Sequence, residues 1–570
     1  MRLQARRLRL LRGVFVLVFL AFMGKLFLMQ VVQGPEMAAS VIDANSVSIE
    51  IVAPRGEIQD ANGLTLATTI DARDIVSDQT MIRDPKVSAE LLAPVLGADP
   101  VALAEHLTGT KRFVYIAKEV SPQDAQRIED LNIAGIYIRS SSRRVYPQGE
   151  LAANVIGFVN ADSVGSGGIE RAFDELLAGT PGHVEYTKAG GRNVIPTGEQ
   201  RVTEPIAGGT VRLTIDRDVQ WVAQRAIAER VAYAKAASGT VVVLDTTNGH
   251  IVAMATAPTF DPNHYGDYDA ADLGNRAVSD VYEPGSTAKV MTMAAVIEEG
   301  EAAPDSRFSV PWTIRWKGVR TFHDHDSHPV EKLTLTGILA KSSNVGSIKA
   351  ATRIGEDSLY EYLQRFGIGS STGSGLPGES PGLLRPRDTW SVTTFPTLAF
   401  GQGMSITALQ VAQVFATIAN DGVRLTPTVV QGTTGPDGVF TPNVPKEGVR
   451  VVSAETARQV RTMMESVVSD EGTAPGAAIP GYRVAGKTGT AQRFDDECRC
   501  YRGFVASFIG IAPADNPRYV VAVALTDPHN GHFGSLLGGP VFKEVMTYAL
   551  QKARIAPSGT KAPALPTTWK

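Results

Sequence analysis

The sequence predicts an α+β protein in three parts: an N-terminal transmembrane helix, an elongated α+β pedestal, and a C-terminal domain with an antiparallel sheet flanked by helices. Three observations support this. An apolar run of about 20 residues follows an arginine-rich N-terminus. Short strand, turn and helix patterns fill the next stretch of roughly 170 residues. Two strand-like runs, a long helical block and three further strand-like runs then predict a five-stranded sheet.

Length and composition limit the possible functions. The 570 residues are enough for about three or four domains. The net charge of −4, with no long basic run beyond the extreme N-terminus, does not indicate a nucleic-acid-binding protein. Two cysteines, Cys498 and Cys500, exclude a disulfide-stapled scaffold. No metal-ligand spacing is found in residues 34–205, and no second ligand pair near the cysteines completes a zinc site.

The first 32 residues predict a membrane anchor. Residues 1–12 carry five arginines and no acid, and residues 13–32 are apolar apart from Lys25 and Gln30. The arginines place the N-terminus in the cytoplasm and the rest of the chain outside the cytoplasmic membrane, as a single-pass protein. A cleaved signal peptide is the alternative, with small residues at 37–40. An uncleaved anchor is favoured because the apolar pattern continues beyond Lys25.

Residues 33–205 form the predicted pedestal. Asn62-Gly63 indicates a turn between two strands, and a glycine-rich turn at 165–168 opens a helix. That turn matches no phosphate-binding fingerprint, so a structural turn is predicted. Glycines and prolines between 183 and 210 mark the end of the pedestal. Further helices are expected near residues 87–97, 99–107 and 121–131.

Residues 206–554 form the predicted C-terminal domain. A Thr-Asn-Gly sequence at 247–249 indicates a hairpin. A last helix is expected from about Pro540 to Lys552, followed by a disordered tail at 555–570, which is polar and proline-rich. Strands are expected at residues 240–245, 250–256, 482–485, 504–512 and 519–526.

A serine and a lysine stand three residues apart where a helix is predicted to begin. Pro284-Gly285 precedes Ser286, and the helical pattern ends at Gly300. Positions i and i+3 share one helix face, so the Lys289 amine can reach the Ser286 hydroxyl. A partly desolvated lysine is a base that can activate serine. Alone the motif is weak, because chance supplies about one match in such a chain and Ser286 would serve equally as an N-cap.

Two further motifs follow. Ser342 stands two residues before Asn344, which places a proton-relaying hydroxyl near a hydrogen-bonding amide. A Lys-Thr-Gly-Thr sequence at 487–490 follows a predicted strand, where the cation and hydroxyls can hold a carboxylate and a backbone N–H can complete an oxyanion hole. Each is weak alone, but Ser-x-x-Lys, Ser-x-Asn and Lys-Thr-Gly in this order are jointly specific.

This order resembles the active site of penicillin-recognising serine enzymes. From the anchor to about residue 552 the chain resembles a class B penicillin-binding protein, most closely the cell-division (FtsI-like) D,D-transpeptidases of high-GC Gram-positive bacteria. Signatures at 55–63 and 168–170 resemble the family's pedestal and argue against a bifunctional class A enzyme. Cys-x-Cys-Tyr-Arg-Gly at 498–503 favours the division type over the elongation type. Segments 213–216, 282–286, 401–403 and 538–542 extend the likeness.

The resemblance implies a serine β-lactamase-like transpeptidase domain that needs no metal or cofactor. Its expected substrates are peptidoglycan stem peptides ending in D-Ala-D-Ala, with β-lactams as inhibitors. A membrane glycosyltransferase of the FtsW kind and other division proteins are the expected partners, at the septum. The implied catalytic residues are Ser286, Lys289, Ser342, Asn344 and Lys487, and the implied substrate-binding residues are Thr488, Gly489 and Thr490.

Other functions stay open on sequence grounds. The same motifs occur in D,D-carboxypeptidases, β-lactamases and elongation-type transpeptidases, and a penicillin-binding scaffold could keep them without catalysis. The state of Cys498 and Cys500 also stays open. Their spacing makes a disulfide strained, so a local disulfide that stiffens a hairpin loop and a pair of free thiols are both possible.

Overall fold

A computed structural model describes residues 2–33, 46–187, 200–495 and 498–570. Residues 37–40 and the glycines and prolines at 190–198 of the predicted boundary lie outside this description. The chain forms two compact units. The N-terminal unit comprises residues 1–54, 71–142 and 179–207, and the C-terminal unit comprises residues 55–70, 143–178 and 208–570.

The N-terminal helix is the apolar element that the sequence predicts. It runs over Arg2–Phe27 and continues as a π-helical turn over Leu28–Val32. The stretch Arg6–Val32 contains an 18-residue window with a mean hydropathy of 2.3, and its apolar side chains are exposed. Within the described residues it is the one helix long and apolar enough to cross a membrane. Its length and its exposed apolar surface fit a single membrane anchor.

The N-terminal unit contains a sheet that packs with three helices. From residue 71 onward the strand Thr65–Ser77 pairs antiparallel with Val114–Val120, and Ile136–Val145 also pairs with it. Each helix begins at a proline that follows an aspartate or serine, whose side chain accepts a hydrogen bond from the first helical turn. The three predicted helices are confirmed at Pro85–Leu96, Pro100–Leu107 and Pro122–Asp130. A second sheet pairs Ser46–Ile51, Gly182–Thr187 and Gln200–Thr203.

The residues of the predicted pedestal are divided between the two units. Segments 55–70 and 143–178 belong to the C-terminal unit. There, Ile58–Gln59 pairs in parallel with the strand Thr210–Leu213. Backbone pairing of this kind joins residues about 150 positions apart, which no composition change along the chain could indicate. The last division between the units, at 207/208, lies two residues after the predicted boundary, whereas the assignment of segments 55–70 and 143–178 to the C-terminal unit was not predicted.

Buried ion pairs join the two pedestal signatures within the C-terminal unit. Glu170 is fully buried, and its two carboxylate oxygens accept hydrogen bonds from Arg55 Nε and Arg144 Nε, each at 2.7 Å. Tyr146 donates a third hydrogen bond to Glu170 at 3.2 Å. Burial and the Glu170 charge raise the pKa of Tyr146 above its usual range. This network connects two signatures that lie 115 residues apart in the chain.

Replacing Glu170 with glutamine is expected to destabilise the protein by about 3–5 kcal/mol, because the buried Arg144 loses its carboxylate partner and Arg55 keeps only its ion pair with Asp174. The thermal unfolding midpoint of the full chain measures this. Glu175→Gln is the matched control, since Glu175 is exposed five residues further on. Equal midpoints for the two variants would contradict the role assigned to the buried carboxylate.

Five strands form the central sheet of the C-terminal unit. In spatial order they are Ile251–Ala257, Ser238–Asp245, Tyr519–Thr526, Cys500–Ala512 and Ala485–Asp495, and every neighbouring pair is antiparallel. All eight residues of Ser238–Asp245 are buried, so both faces of the sheet are covered. The predicted five-stranded antiparallel sheet is confirmed.

The edge strand of this sheet begins later than the sequence predicts. The expected strand at 482–485 is instead Ala485–Asp495, so the Lys-Thr-Gly motif lies inside the strand. Glycine is disfavoured in isolated strands, but here it is required by its neighbours. A Cβ at Gly486 would lie 2.6 Å from the Phe508 ring, and one at Gly489 would lie 2.3 Å from Ser507 Oγ.

Helices cover the sheet in two groups. Arg217–Ala234 packs with Gly534–Lys552 against the sheet, and Ala408–Ala419 packs with Ala454–Val468 against it. The last helix begins six residues before the predicted start and includes Pro540. The inserted block contains the helices Lys289–Glu298, Leu335–Ala340, Asn344–Ala351 and Gly355–Arg365 and the strands Arg307–Val310, Thr313–Trp316, Arg320–His323 and Glu331–Thr334. Smaller elements are Ala153–Ile156, Gly168–Ala172, Asp174–Ala178, Thr394–Leu398, Val430–Thr434 and Phe440–Pro442.

The C-terminal tail is ordered against the inserted block, contrary to the disorder predicted for residues 555–570. Thr568 bridges to Leu333, and Thr334 donates its backbone N–H to Thr567 and its hydroxyl to Pro566. The Trp569 ring lies near two cations and donates its indole N–H to Phe308 at 3.2 Å. A polar composition indicates disorder only where no sheet edge is available to pair the backbone.

Deleting residues 565–570 is expected to lower stability by about 1–3 kcal/mol, because several backbone hydrogen bonds and the Trp569 contacts are lost. A decrease of a few degrees in the thermal midpoint of the full chain would confirm this. Removal of Lys570 alone is the control, since that residue is exposed at the terminus. A truncated protein with the same thermal midpoint as the parent would show that the tail contributes nothing to stability.

Candidate active site

Ser286 lies in a tight turn that is held against a glycine loop. The turn is a 3-10 helix over Gly285–Ala288, and it leads directly into the helix that begins at Lys289. Gly285 has a φ of +52° and donates its N–H to Gly401 at 2.9 Å. A Cβ at Gly401 would lie 2.0 Å from the Gly285 carbonyl oxygen. Only glycine fits there, so the Gly401 loop fixes the turn that presents the half-buried Ser286.

Lys289 is fully buried one turn after Ser286. Its amine donates hydrogen bonds to Asn344 Oδ1 at 2.8 Å, to Ser342 Oγ at 3.3 Å and to the Ser342 carbonyl. The structure thus brings Lys289 into contact with both residues of the Ser-x-Asn motif. The spacing of three residues keeps Ser286 and Lys289 on neighbouring positions of the same turn.

Burial controls the protonation of the two lysines of the site. Desolvation lowers the pKa of Lys289 to about 7, and the Asp324 carboxylate opposes that shift. Desolvation, aided by the nearby Lys289 charge, also holds the pKa of Lys487 well below its usual value. A substantial fraction of Lys289 is therefore neutral at pH 7 and can accept a proton.

Ser342 connects the two lysines. Its Oγ accepts a hydrogen bond from Lys487 at 2.9 Å and one from Lys289 at 3.3 Å. Ser342 has a φ of +60°, the left-handed region that non-glycine residues rarely adopt. Such backbone strain persists only where surrounding contacts impose it, and it clusters at functional sites. A hydroxyl between two amines can pass a proton in either direction.

The edge strand brings the Lys-Thr-Gly motif to the nucleophile turn. A Cβ at Gly489 would lie 3.2 Å from the Pro284 carbonyl, so the strand passes directly beside the residues before Ser286. Thr488 and Thr490 alternate with Gly489 and share one face of the strand. The Thr488 hydroxyl lies 3.1 Å from Thr473 Oγ1, and Thr490 Oγ1 accepts the Gly534 N–H at 3.3 Å.

Asp324 and Glu283 belong to this neighbourhood but were not found in the sequence analysis. Asp324 contacts the residues around Asn344, and Glu283 accepts hydrogen bonds from the Gly403 N–H at 2.9 Å and the Tyr501 hydroxyl at 3.1 Å. Burial raises the pKa of Glu283. A run of acids and histidines at 323–328 was the available signal for Asp324. For Glu283 the signal was its position three residues before Ser286.

The two cysteines form a disulfide. Cys498 is bonded to Cys500, at the start of the strand Cys500–Ala512. Of the two states that the sequence leaves open, the disulfide is therefore the one present. The next residue, Tyr501, contacts Glu283, so the disulfide lies close in sequence to a residue that touches the nucleophile segment.

The site as a whole combines a serine, a buried base, a relaying hydroxyl and a second amine. Hydrogen bonds join Lys289, Ser342, Asn344 and Lys487. The backbone at Gly489 passes close to the Pro284 carbonyl, just before Ser286. Such a set can activate the serine for attack on a carbonyl and return a proton to a leaving amine. Among the residues that the structure describes, no group of three or more metal-ligating side chains is found.

Comparison with known proteins identifies related chains. Residues 239–547 match the penicillin binding protein transpeptidase domain, and residues 50–213 match the penicillin-binding protein dimerisation domain. The chain is 38% identical to penicillin-binding protein PbpB of Mycolicibacterium smegmatis, over 95% of this chain and 89% of that protein. It is 34% identical to peptidoglycan D,D-transpeptidase FtsI of Escherichia coli K12, over 97% and 92%. The crystal structure of penicillin-binding protein 3 of Mycobacterium tuberculosis with aztreonam is 35% identical, with a TM-score of 0.72 over 92% of this chain and 100% of that chain.

Proposed function

Because the chain belongs to the class B penicillin-binding proteins of the FtsI and PbpB type, we propose that it cross-links peptidoglycan stem peptides through an acyl-enzyme on Ser286. It is a serine-type peptidoglycan D,D-transpeptidase. One observation carries the assignment of its base: Lys289 is fully buried, has a pKa lowered to about 7, and contacts both Ser342 and Asn344. No cofactor enters the reaction.

The first step forms the acyl-enzyme. Neutral Lys289 takes the Ser286 proton, and Ser286 Oγ attacks the carbonyl between the last two D-alanines of the stem peptide. The N–H groups of Ser286 and Thr490 stabilise the oxyanion that develops. Asn344 holds the Lys289 amine at 2.8 Å and keeps it oriented toward the turn. The Ser286 oxygen and the carbonyl carbon form the new bond.

The second step expels D-alanine. Ser342 passes a proton to the leaving amine and regains one from Lys289, which received it from Ser286. Lys487 lies 2.9 Å from Ser342 Oγ and supports this transfer. The acyl-enzyme is then attacked by the side-chain amine of a neighbouring stem peptide. That attack forms the amide cross-link and breaks the bond to Ser286 Oγ, and the proton lost by the amine returns to Ser286 through Lys289.

The terminal carboxylate of the donor binds at the edge strand. Lys487, Thr488 and Thr490 supply a cation and two hydroxyls, and Gly489 lets the backbone approach closely. Burial disfavours the charged form of Lys487 in the free protein. An incoming carboxylate restores the charged form by direct attraction, so substrate binding and protonation of Lys487 are coupled.

β-Lactams are expected to acylate the same serine. Relatives of known structure are complexes with aztreonam and with ampicillin, at 35% identity to this chain. The carbonyl of a β-lactam occupies the position of the D-Ala-D-Ala carbonyl. Attack by Ser286 opens the lactam C–N bond, and the expelled nitrogen stays tethered to the acyl group, where it hinders access of an acceptor to the ester. Slow release follows, so the adduct accumulates.

The protein acts at the division septum, anchored in the cytoplasmic membrane by its N-terminal helix. The arginines in the first turns of the helix hold its N-terminus in the cytoplasm, and the chain after about residue 33 lies outside. A membrane glycosyltransferase of the FtsW kind supplies the glycan strands, and other division proteins recruit the complex. A fluorescent fusion to the full chain tests this role in the host cell. Signal at the septum supports it, whereas signal along the side wall indicates an elongation role.

Product analysis tests the reaction itself. Full-length protein in detergent is incubated with a thioester analogue of the stem peptide and an amine acceptor, and products are resolved by mass. Transfer of the acyl group to the amine supports the proposal. Hydrolysis without transfer indicates a D,D-carboxypeptidase or β-lactamase, and folded protein without any reaction indicates a scaffold.

A further inference from the structure

Asp324 lies directly behind the Ser-x-Asn motif and is only 6% exposed. One carboxylate oxygen accepts the backbone N–H groups of Asn344 and Val345, and the other accepts the Ser343 hydroxyl at 2.7 Å. A single carboxylate thus binds the first turn of the helix Asn344–Ala351. A negative charge is favoured at that end of a helix by the helix dipole.

These contacts fix the two groups that face the base. Ser342 and Asn344 flank Ser343, and an oxygen atom of each accepts a hydrogen bond from the Lys289 amine. Ser342 holds its left-handed backbone while the following three residues are bound to Asp324. The carboxylate therefore determines where the Ser342 hydroxyl and the Asn344 amide point, without touching the substrate.

His328 contacts the far side of the same carboxylate. Its Nε2 lies 3.1 Å from the Asp324 oxygen that binds Ser343, and its Nδ1 lies 2.6 Å from the Pro329 carbonyl. A carbonyl and an ionised carboxylate accept hydrogen bonds and cannot donate them. Both ring nitrogens are satisfied only when both carry hydrogen, which is the charged imidazolium.

We propose that Asp324 and His328 are a positioning pair that orients Ser342 and Asn344 and sets the proton affinity of Lys289. The proposal rests on the function assigned to Lys289 above. Asp324 holds the geometry, and the imidazolium partly cancels the field of the carboxylate at the lysine. Neither residue is a catalytic residue, because neither reaches the reacting atoms.

The charges around the pair determine the sign of its effect. His328 faces Asp324 and Glu331. Burial acts to lower the pKa of His328, but the Pro329 carbonyl and the two carboxylates outweigh burial and raise it. Lys289 faces Asp324 and Lys487. The other histidines of the loop face elsewhere: His323 contacts the Asp324 backbone carbonyl, and His325 contacts Asp326 and the Phe533 ring.

Two substitutions should therefore shift the pH dependence of the acylation rate in opposite directions. Asp324→Asn removes a negative charge, so Lys289 loses its proton more easily and the acid limb of acylation moves to lower pH. His328→Gln removes a positive charge, so the carboxylate holds the lysine proton more strongly and the limb moves to higher pH. Each shift is expected to be about half a pH unit.

The test measures the acylation rate of the full chain in detergent with a fluorescent penicillin between pH 5 and 9. Asp324→Asn is expected to lower the maximal rate at least about tenfold, because the amide nitrogen cannot accept from Ser343. His328→Gln is expected to lower it only a few fold. Asp326→Asn is the matched control, since that side chain is 92% exposed two residues away, and it should behave as the parent.

The outcomes separate the two proposals. A parent protein that is folded but never acylated overturns the proposed function, and this inference with it. A parent that is acylated, with both variants giving superimposable profiles, overturns the positioning pair alone. Shifts of both variants in the same direction also overturn it. The two substitutions remove opposite charges, so an electrostatic effect on Lys289 must move the two pH profiles in opposite directions. Should Asp324→Asn fail to fold, the shift of His328→Gln to higher pH decides the question.

Discussion

Ser286→Ala is expected to abolish acylation by benzylpenicillin. The hydroxyl oxygen of Ser286 is the atom that forms the covalent bond. The other hydroxyl of the turn, that of Thr287, is buried and donates to the Pro284 carbonyl at 2.8 Å. Removing the nucleophile of a serine enzyme lowers the rate by at least about 10⁴-fold. Intact mass of the full chain, with and without drug, measures the adduct directly. We expect one adduct for each parent molecule and none for the variant.

Ser279→Ala is the matched control for this experiment. Ser279 is exposed seven residues before Ser286, and its hydroxyl contacts Asp280. It should be acylated like the parent. A persistent adduct on Ser286→Ala would show that another residue is the nucleophile. Rapid turnover of drug by the parent without an adduct would instead indicate a hydrolase.

Lys289→Met is expected to lower the acylation rate by about 10²–10⁴-fold while the protein stays folded. Methionine fills a similar buried volume but cannot take the Ser286 proton, and general-base catalysis supplies a factor of this size. The parent rate should rise with pH and reach half its maximum near the Lys289 pKa of about 7, because only the neutral amine acts as a base. Stopped-flow measurement with a chromogenic β-lactam gives both values.

Lys349→Met provides the control, since Lys349 is half-buried and its amine bonds the Ser309 carbonyl at 2.6 Å. Its rate and its pH profile should match those of the parent. If the acylation rate of Lys289→Met still rose near pH 7 as that of the parent does, another group would have to be the base.

The lowered pKa of Lys289 should also make the stability of the folded protein depend on pH. The Lys289 pKa is lower in the folded protein than in the unfolded chain, so the unfolded chain binds more protons between about pH 7 and the ordinary lysine pKa. Stability contributed by this group therefore rises with pH across that window. The unfolding free energy of the parent minus that of Lys289→Met should therefore increase from about pH 7 to about pH 9.

The sequence alone determined the features that depend on neighbouring residues. The apolar run after the arginines predicted the helix that spans Arg2–Phe27, and short helical patterns located three helices of the N-terminal unit. The spacing of Ser286 and Lys289 predicted their shared turn. These patterns are local, because a helix and its cap are set by residues within a few positions of each other.

The order of the three motifs determined the enzyme class, although no single motif was specific. The contact between Lys487 and Ser342 spans 145 positions. No periodicity in either segment predicts that contact. The resemblance implied only that both residues belong to the site, and they meet because the central sheet and the inserted block bring two distant elements together.

Tertiary structure alone decided the remaining features. Asp324 became part of the site because three strands of the inserted block return it to the start of the Asn344 helix. The tail is ordered because an exposed edge at Leu333 and Thr334 pairs its backbone, and the edge strand extends through two glycines because Phe508 and Ser507 occupy the space of their side chains. Each depends on a partner supplied from far along the chain. Local composition records the preferences of a segment, whereas only the folded chain determines which backbone edge, charge or cavity that segment meets.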